Sequence, residues 1–542
     1  VLGANGLDRS PARRVSIALR GAWCAGAIAI ALAGCGDATR STPAPSAGAS
    51  APHTPASPPA GLVARAVVRA PDRALTQTRG LLGARAGVLA SRQSTAALAV
   101  DLGVPAAAMQ EIDGEAPAQI ALLEDPSSKR RSLAAALSLR DSQRFLLLST
   151  GGAAAPLESA TVPGGSRLRT KSGGALPFAT GVFGHHLVVA TDDATLLATG
   201  PFLDDPIDPV AAPLDPEAVA SGEIDAPTAS AIVDAFVDAR LGSLGPEARA
   251  VLSAPFGSLL AGATKIPVSI TLREDGLRVH AEVDRTAAIG ALGLARGPTP
   301  DLVVAPPGSQ IVLGLRQSAA ARTASADGAD ALLAKVLHGE DARSVSGALS
   351  ALALARGERS TLSFEIGPEG PSVHGDLEIA DRDAAAKATK VLVEAMDARS
   401  VREAARAAGY KLGARATVVE RVGDVARVRV RKLGDGEDAR EGATLFLRLE
   451  PKRLLLGGGW DAEGALRRAL VDAEPVRGAS KALPENASVV VFVDPARLAS
   501  PRAPPSAAWL AVDVDDGRKK VDVWIDADAA ALGALLERTL TQ

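Results

Sequence analysis

The chain has 542 residues, a formal net charge of −3, 47% hydrophobic and 22% charged residues, and only 3% aromatics. That length exceeds one ordinary core, so two or more domains are expected, with Ala, Val and Leu filling them in place of rings. The near-neutral charge does not suggest nucleic acid, whose binders displace counterions with a basic face. The two cysteines, Cys24 and Cys35, leave residues 36–542 without a disulfide or a cysteine metal site.

In chain order, Arg9, Arg13, Arg14 and Arg20 precede an apolar run from Ala22 to Ala33. The run is shorter than the roughly 20 residues that span a bilayer, and it ends in small residues, as a secretory signal does. Cys24 lies inside it and reads as one more small apolar residue. Val1 in place of Met fits an alternative start codon or an over-extended gene model. The run closes on Leu32-Ala33-Gly34-Cys35. These four residues resemble the lipobox of bacterial lipoproteins. The resemblance implies that a dedicated signal peptidase reads Leu32, Ala33 and Gly34 and cuts before Cys35. It further implies diacylglycerol on the Cys35 sulfur and a palmitate-type acyl chain on the new N-terminus. Residues 1–34 are then a signal peptide, and the expected location is the cell envelope, with the outer membrane favoured.

Residues 35–61 are rich in Ala, Pro, Ser and Thr. They cannot bury enough apolar area to offset their ordering entropy, so a solvated tether is expected, reaching about 3 Å per residue when extended.

Beyond the tether the sequence repeats itself. Val268–Asp284 and Leu510–Asp526 both alternate apolar and polar residues, turn at Asp-Gly and alternate again, a strong hairpin signal. Each enters an Ala-rich segment of helical spacing, Thr286–Leu294 or Ala527–Leu540. Upstream, His186–Asp193 parallels Arg453–Asp461, each a strand leading into a helix, around Ala194–Ala198 and Ala462–Leu470. Ala231–Leu241 parallels Val489–Leu498. Gln119–Leu139 and Leu362–Ile379 are further hairpins, and 383–397 is the clearest helix. Two similar halves follow, 62–298 and 299–542, with a turn or linker at Gly297-Pro298-Thr299-Pro300. The expected fold class is α+β, each half an antiparallel hairpin or meander sheet faced by helices. The body thus resembles uncharacterised duplicated envelope lipoproteins of high-GC bacteria, a resemblance that carries no functional residue beyond Cys35.

Common catalytic motifs are missing from the sequence: no Walker A loop, dinucleotide fingerprint, G-x-S-x-G elbow or H-E-x-x-H occurs. Gly457-Gly458-Gly459 follows a strand but lacks the Lys and Ser/Thr of a phosphate loop, so a tight strand–helix turn is expected. His185 and His186 should point to opposite strand faces, which suits no single metal. His280 and His374 fall on second strands of hairpins, as polar-face residues. Asp513-Val514-Asp515-Asp516-Gly517 misplaces the Gly and Glu of a calcium loop and reads as a hairpin turn. Asp192-Asp193 and Asp204-Asp205 read as turns and helix caps. Trp460, Trp509 and Trp524 are expected as buried anchors, with a small recognition patch as the alternative.

The expectation is therefore no enzyme, no metal and no cofactor. A membrane held through the Cys35 lipid is one partner, and an envelope protein or a hydrophobic ligand is the other. A lipid-holding groove between sheet and helices and a hydrolase whose site assembles only on folding are the alternative readings.

Overall fold

The computed structural model describes residues 57–533 except 83–93, 102–103, 126, 153–154, 173–175, 177, 205–213, 232–262, 285–292, 300–307, 325–338, 368–369, 396, 408–409, 419–424, 433–442, 460–482, 500–502 and 516. The described segments combine helices with antiparallel sheet, an α+β fold. The chain divides into two compact units. Unit 1 is Val1–Ser253, Ala263–Val283 and Ala527–Gln542, and unit 2 is Ala254–Gly262 and Asp284–Asp526.

Unit 1 carries β1 (Leu62–Val68), β2 (Ala118–Glu124), β3 (Arg131–Ser138), β4 (Leu157–Val162) and β5 (Gly165–Thr170). It continues with β6 (Ala179–Phe183), β7 (His186–Ala190), β8 (Ala220–Asp225), β9 (Lys265–Leu272) and β10 (Gly276–Asp284). They pair antiparallel in the order β4-β5-β6-β7-β3-β2-β1-β8-β9-β10. Its helices are α1 (Pro71–Leu82), α2 (Thr95–Asp101), α3 (Ser142–Thr150) and α4 (Asp193–Asp204).

The run Leu187-Val188-Val189-Ala190 in β7 explains how these helices are used. Successive strand residues face opposite ways, and all four are buried, so both faces of the sheet must be covered. Leu187 and Val189 pack with Phe145 of α3, while Val188 and Ala190 pack with Leu196 and Leu203 of α4. Aspartates start these helices by accepting orphan N–H groups: Asp141 from Arg144 N at 2.9 Å and Asp192 from Thr195 N at 2.8 Å. The C-terminal stretch returns to this unit. There Asp528 accepts from Ala531 N, and Leu532 packs beside Val68, Ala74 and Ile120.

Unit 2 carries β11 (Ile311–Arg316), β12 (Arg356–Gly367), β13 (Gly370–Ile379), β14 (Tyr410–Val418) and β15 (Val425–Lys432). Then come β16 (Ala443–Leu449), β17 (Arg453–Gly459), β18 (Val489–Val493), β19 (Ala508–Asp515) and β20 (Lys520–Asp528). The pairing order is β14-β15-β16-β17-β13-β12-β11-β18-β19-β20. Its helices are α5 (Gly339–Ala355), α6 (Arg382–Ala395), α7 (Arg399–Ala407) and α8 (Pro495–Ala499). On one face α5 and α6 bury Leu352, Ala385 and Ala388 against Leu377, Ile379 and Leu454. Another cluster joins Val312, Val490, Ala511, Phe492 and Trp509, the last two rings 4.9 Å apart.

Two local expectations change. Gly457-Gly458-Gly459 is not a strand–helix turn but the end of β17, paired with β13 and β16. Close approach explains the glycine: a Cβ at Gly457 would lie 2.3 Å from the Phe446 ring. The segment expected to parallel Val489–Val493 does not begin as a strand: residues 226–231 are helical, and 232–241 lie outside the described residues. At the turn or linker expected at Gly297–Pro300, Thr299 N donates to Glu485 O and Ala487 N to Gly297 O. The expected helices around 286–292, 462–470 and 534–540 lie outside the described residues.

Candidate functional site

The structure places charge where unit 2 has little water. β13 presents Ser372, His374, Asp376 and Glu378 on one face by simple alternation. Antiparallel pairing sets Arg453 of β17 opposite Glu378, and Leu455 opposite Asp376. On the other flank, β12 sets Thr361 opposite Asp376.

The result is a chain of ion pairs across five strands and one turn. Arg316 Nη1 donates to Glu358 Oε2 at 3.0 Å, and Arg359 Nη2 to Glu378 Oε1 at 2.8 Å. Arg453 Nη1 lies 3.7 Å from Asp376 Oδ2, while its Nε donates to Glu450 Oε2 at 2.5 Å. Arg448 Nε stands 3.2 Å from the other Glu450 oxygen. Next along the face, the buried His374 ring meets Phe446 with centroids 6.5 Å apart.

The two carboxylates of β13 respond oppositely. Burial pushes the Asp376 carboxyl up to about 6, against the pull of Arg453 and with help from the Glu450 charge. Hydrogen bonds from Arg359 hold Glu378 below its usual range. Asp376 is thus a carboxyl that exchanges its proton near pH 6, with the Arg453 guanidinium 3.7 Å away.

A smaller cluster sits on β19. Arg296 Nε lies 3.2 Å from Asp513 Oδ2, and Arg296 Nη1 lies 3.0 Å from Asp515 Oδ2. Burial raises the Asp513 carboxyl, and Asp522 and Asp515 add repulsion. Among the described residues no group of three His, Cys, Asp or Glu is arranged to hold a metal ion, and no helix is long and apolar enough to cross a membrane.

The residues singled out from sequence scatter. Cys35, Leu32, Ala33 and Gly34, together with His53, His338 and Trp460, lie outside the described residues. His186 Nδ1 pairs with Asp204 Oδ1 at 3.1 Å, and His185 offers its backbone N–H to the same oxygen. His374 is a correction: expected on a polar face, it is 2% exposed because Gly457 opposite lets the Phe446 ring lie across it. Asp192 caps α4, Asp193 pairs with Arg167, and Asp205 is outside the described residues. Asp513 and Asp515 end β19 of a hairpin, and Trp509 is a buried anchor. Sequence reasoning missed Asp376, Arg453, Glu450 and Arg448. Its only trace was the polar alternation of β13, which looks the same on a solvated face.

Comparison with known proteins is nearly silent. No family model matches the chain, and no curated protein does. Among solved structures, three crystal forms of the protein TP0453 overlap it. Form IV does so at TM-score 0.23 and 10% identity, over 42% of this chain and 77% of that one. Forms I and III reach TM-score 0.22 at 9% and 11% identity, over 42% and 45% of this chain and 76% and 99% of theirs. Likeness at this level defines neither a family nor a function.

Proposed function

We propose that the chain is a cell-envelope lipoprotein, acylated at Cys35, whose α+β body has a non-catalytic binding or scaffolding role. The observation that carries this reading is Leu32-Ala33-Gly34-Cys35 closing an apolar run behind four arginines. Stable attachment needs more than one acyl chain, which a diacylglyceryl cysteine with an acylated amine provides. The body is read as a duplication of one unit. In its support, adding ten to each strand number of unit 1 gives the pairing order of unit 2, edge to edge. The test compares wild type with Cys35→Ala by palmitate labelling, N-terminal mass spectrometry and membrane fractionation. The wild type should carry label and sediment with membranes, and the variant should lose both. An unmodified mature N-terminus in the wild type, or one at another residue, overturns the proposal.

A second reading, a carrier of a hydrophobic ligand, draws on Leu362, Val373 and Leu445, which lie exposed on one face of unit 2. Native mass spectrometry of protein purified without detergent, finding no co-purified lipid, would remove it.

A further inference from the structure

One face of the unit 2 sheet meets water beside rows that helices cover. Opposed residues of antiparallel strands share a face, so the register reads as rows running across the strands. One row on this face is Phe364, Val373, Gly458, Leu445, Val428 and Arg415, running from β12 through β13, β17, β16 and β15 to β14. Among the described residues β14 is the outermost strand. The next row sets Leu362, Gly375 and Leu456 side by side. The row after that holds Leu377 and Leu454, and α5 and α6 close over it. The first two rows remain in contact with solvent: Val373 is 45% exposed, and Leu362 and Leu445 are each 38% exposed. Contiguous exposed apolar surface of this kind marks a ligand or interaction site.

The dimensions and the charge of the strip select its occupant. Neighbouring rows lie about 7 Å apart along a strand, room for one alkyl chain and not for two side by side. Phe364 and Arg415 are five strand spacings apart, about 24 Å. One acyl chain reaches half the hydrocarbon core of a bilayer, about 15 Å. The strip therefore takes a single chain with length left over for its head. The row ends on Arg415, its one charged member, at the sheet edge. A guanidinium there matches a carboxylate, which it can engage through two parallel hydrogen bonds.

We propose that this strip binds one long-chain fatty acid, its alkyl chain laid across β12, β13, β17 and β16 and its carboxylate at Arg415. The proposal deepens the carrier reading given above and rests on it, naming the ligand as an anionic, single-chain amphiphile.

Isolated membranes carrying the full chain are irradiated with a diazirine-bearing hexadecanoic acid or with the matching hexadecanol, and adducts are mapped by mass spectrometry. The acid should label the peptides that hold Leu362, Val373 and Leu445. The alcohol, without a charge-assisted bond to its head, should label them roughly tenfold less. Val373→Lys should fold, since its site already meets solvent, and it should lose most labelling by both probes. Arg415→Gln should bring the acid down to the level of the alcohol. Equal labelling of the strip by acid and alcohol in wild type overturns the proposal and leaves the carrier reading standing. Labelling of the strip by neither probe removes both. Undiminished labelling in Val373→Lys, or an undiminished preference for the acid in Arg415→Gln, also overturns the proposal.

Discussion

Replacing Asp376 by Asn tests whether the charge chain of unit 2 costs stability. In the fold this carboxyl titrates near 6 against an ordinary value of 3.8, a difference of about two units. The folded state therefore holds the proton more tightly than the unfolded chain. The sign follows from linkage. The stabilisation from the protonated form is complete below pH 3.8 and is lost as pH rises through 6. At about 1.4 kcal/mol per unit, ionised Asp376 costs unit 2 about 3 kcal/mol at pH 7.5 relative to the protonated form. The side chain is 17% exposed, so solvent screening takes little from this figure. Asn has the shape of the carboxyl without its titration. Asp376→Asn should match wild type near pH 4 and exceed it by up to about 3 kcal/mol at pH 7.5. In the chain that begins at Cys35, tryptophan emission makes a selective assay, because without Trp23 the remaining Trp460, Trp509 and Trp524 all belong to unit 2. Urea unfolding curves from pH 4 to 8 give the difference at each pH. A constant offset between wild type and variant across that range would falsify the burial argument.

Three further outcomes follow from packing and capping. Gly200→Ala should destabilise unit 1 by about 1–3 kcal/mol, because an added Cβ would sit 2.4 Å from the buried Phe183 ring; circular dichroism melts measure it. Phe145→Ala should cost about 3–5 kcal/mol, since this ring is 0% exposed at the centre of the α3 contact; hydrogen exchange should show the loss first in β7 and α3. Asp494→Ala should cost about 2–3 kcal/mol, because one buried oxygen accepts from Arg497 N, Ser506 N and Ser506 Oγ; the loss is read from tryptophan emission in urea.

Much of the fold was legible in the sequence because hairpins announce themselves locally. Asp-Gly between alternating runs marks β9–β10 and β19–β20, and the segments Gln119–Leu139 and Leu362–Ile379, also expected as hairpins, contain the β2–β3 and β12–β13 turns. What failed depended on distant residues. The glycines after Leu456 looked like a turn because their reason, the Phe446 ring of the neighbouring strand, lies outside any local window. The strand β8, Ala220–Asp225, contains Ser221, Gly222 and Glu223 and shows little apolar alternation; its pairing with β1 and β9 makes it a strand. The charge chain was invisible for the same reason. Arg453 and Asp376 are 77 positions apart, and only the β13–β17 register brings them together.

On the duplication proposed above, the two units can be read against each other position by position. In unit 1, β3 and β7 set Ala134 against Ala190 and Ala136 against Val188, all buried and all apolar. The matching ladder in unit 2 sets His374 against Gly457 and Asp376 against Leu455. Both ladders hold the same strands together, so the pairing does not require ionisable groups there. Nor does stability, because a buried charge network is on average no better than the apolar packing it replaces. Among the described residues, the buried ionisable groups His374, Glu450, Asp494, Asp513, Asp522 and Asp526 lie in unit 2, against Glu111 in unit 1. On that reading, mutagenesis aimed at function belongs first on the β12, β13 and β17 face of unit 2, at Asp376, Glu378 and Arg453.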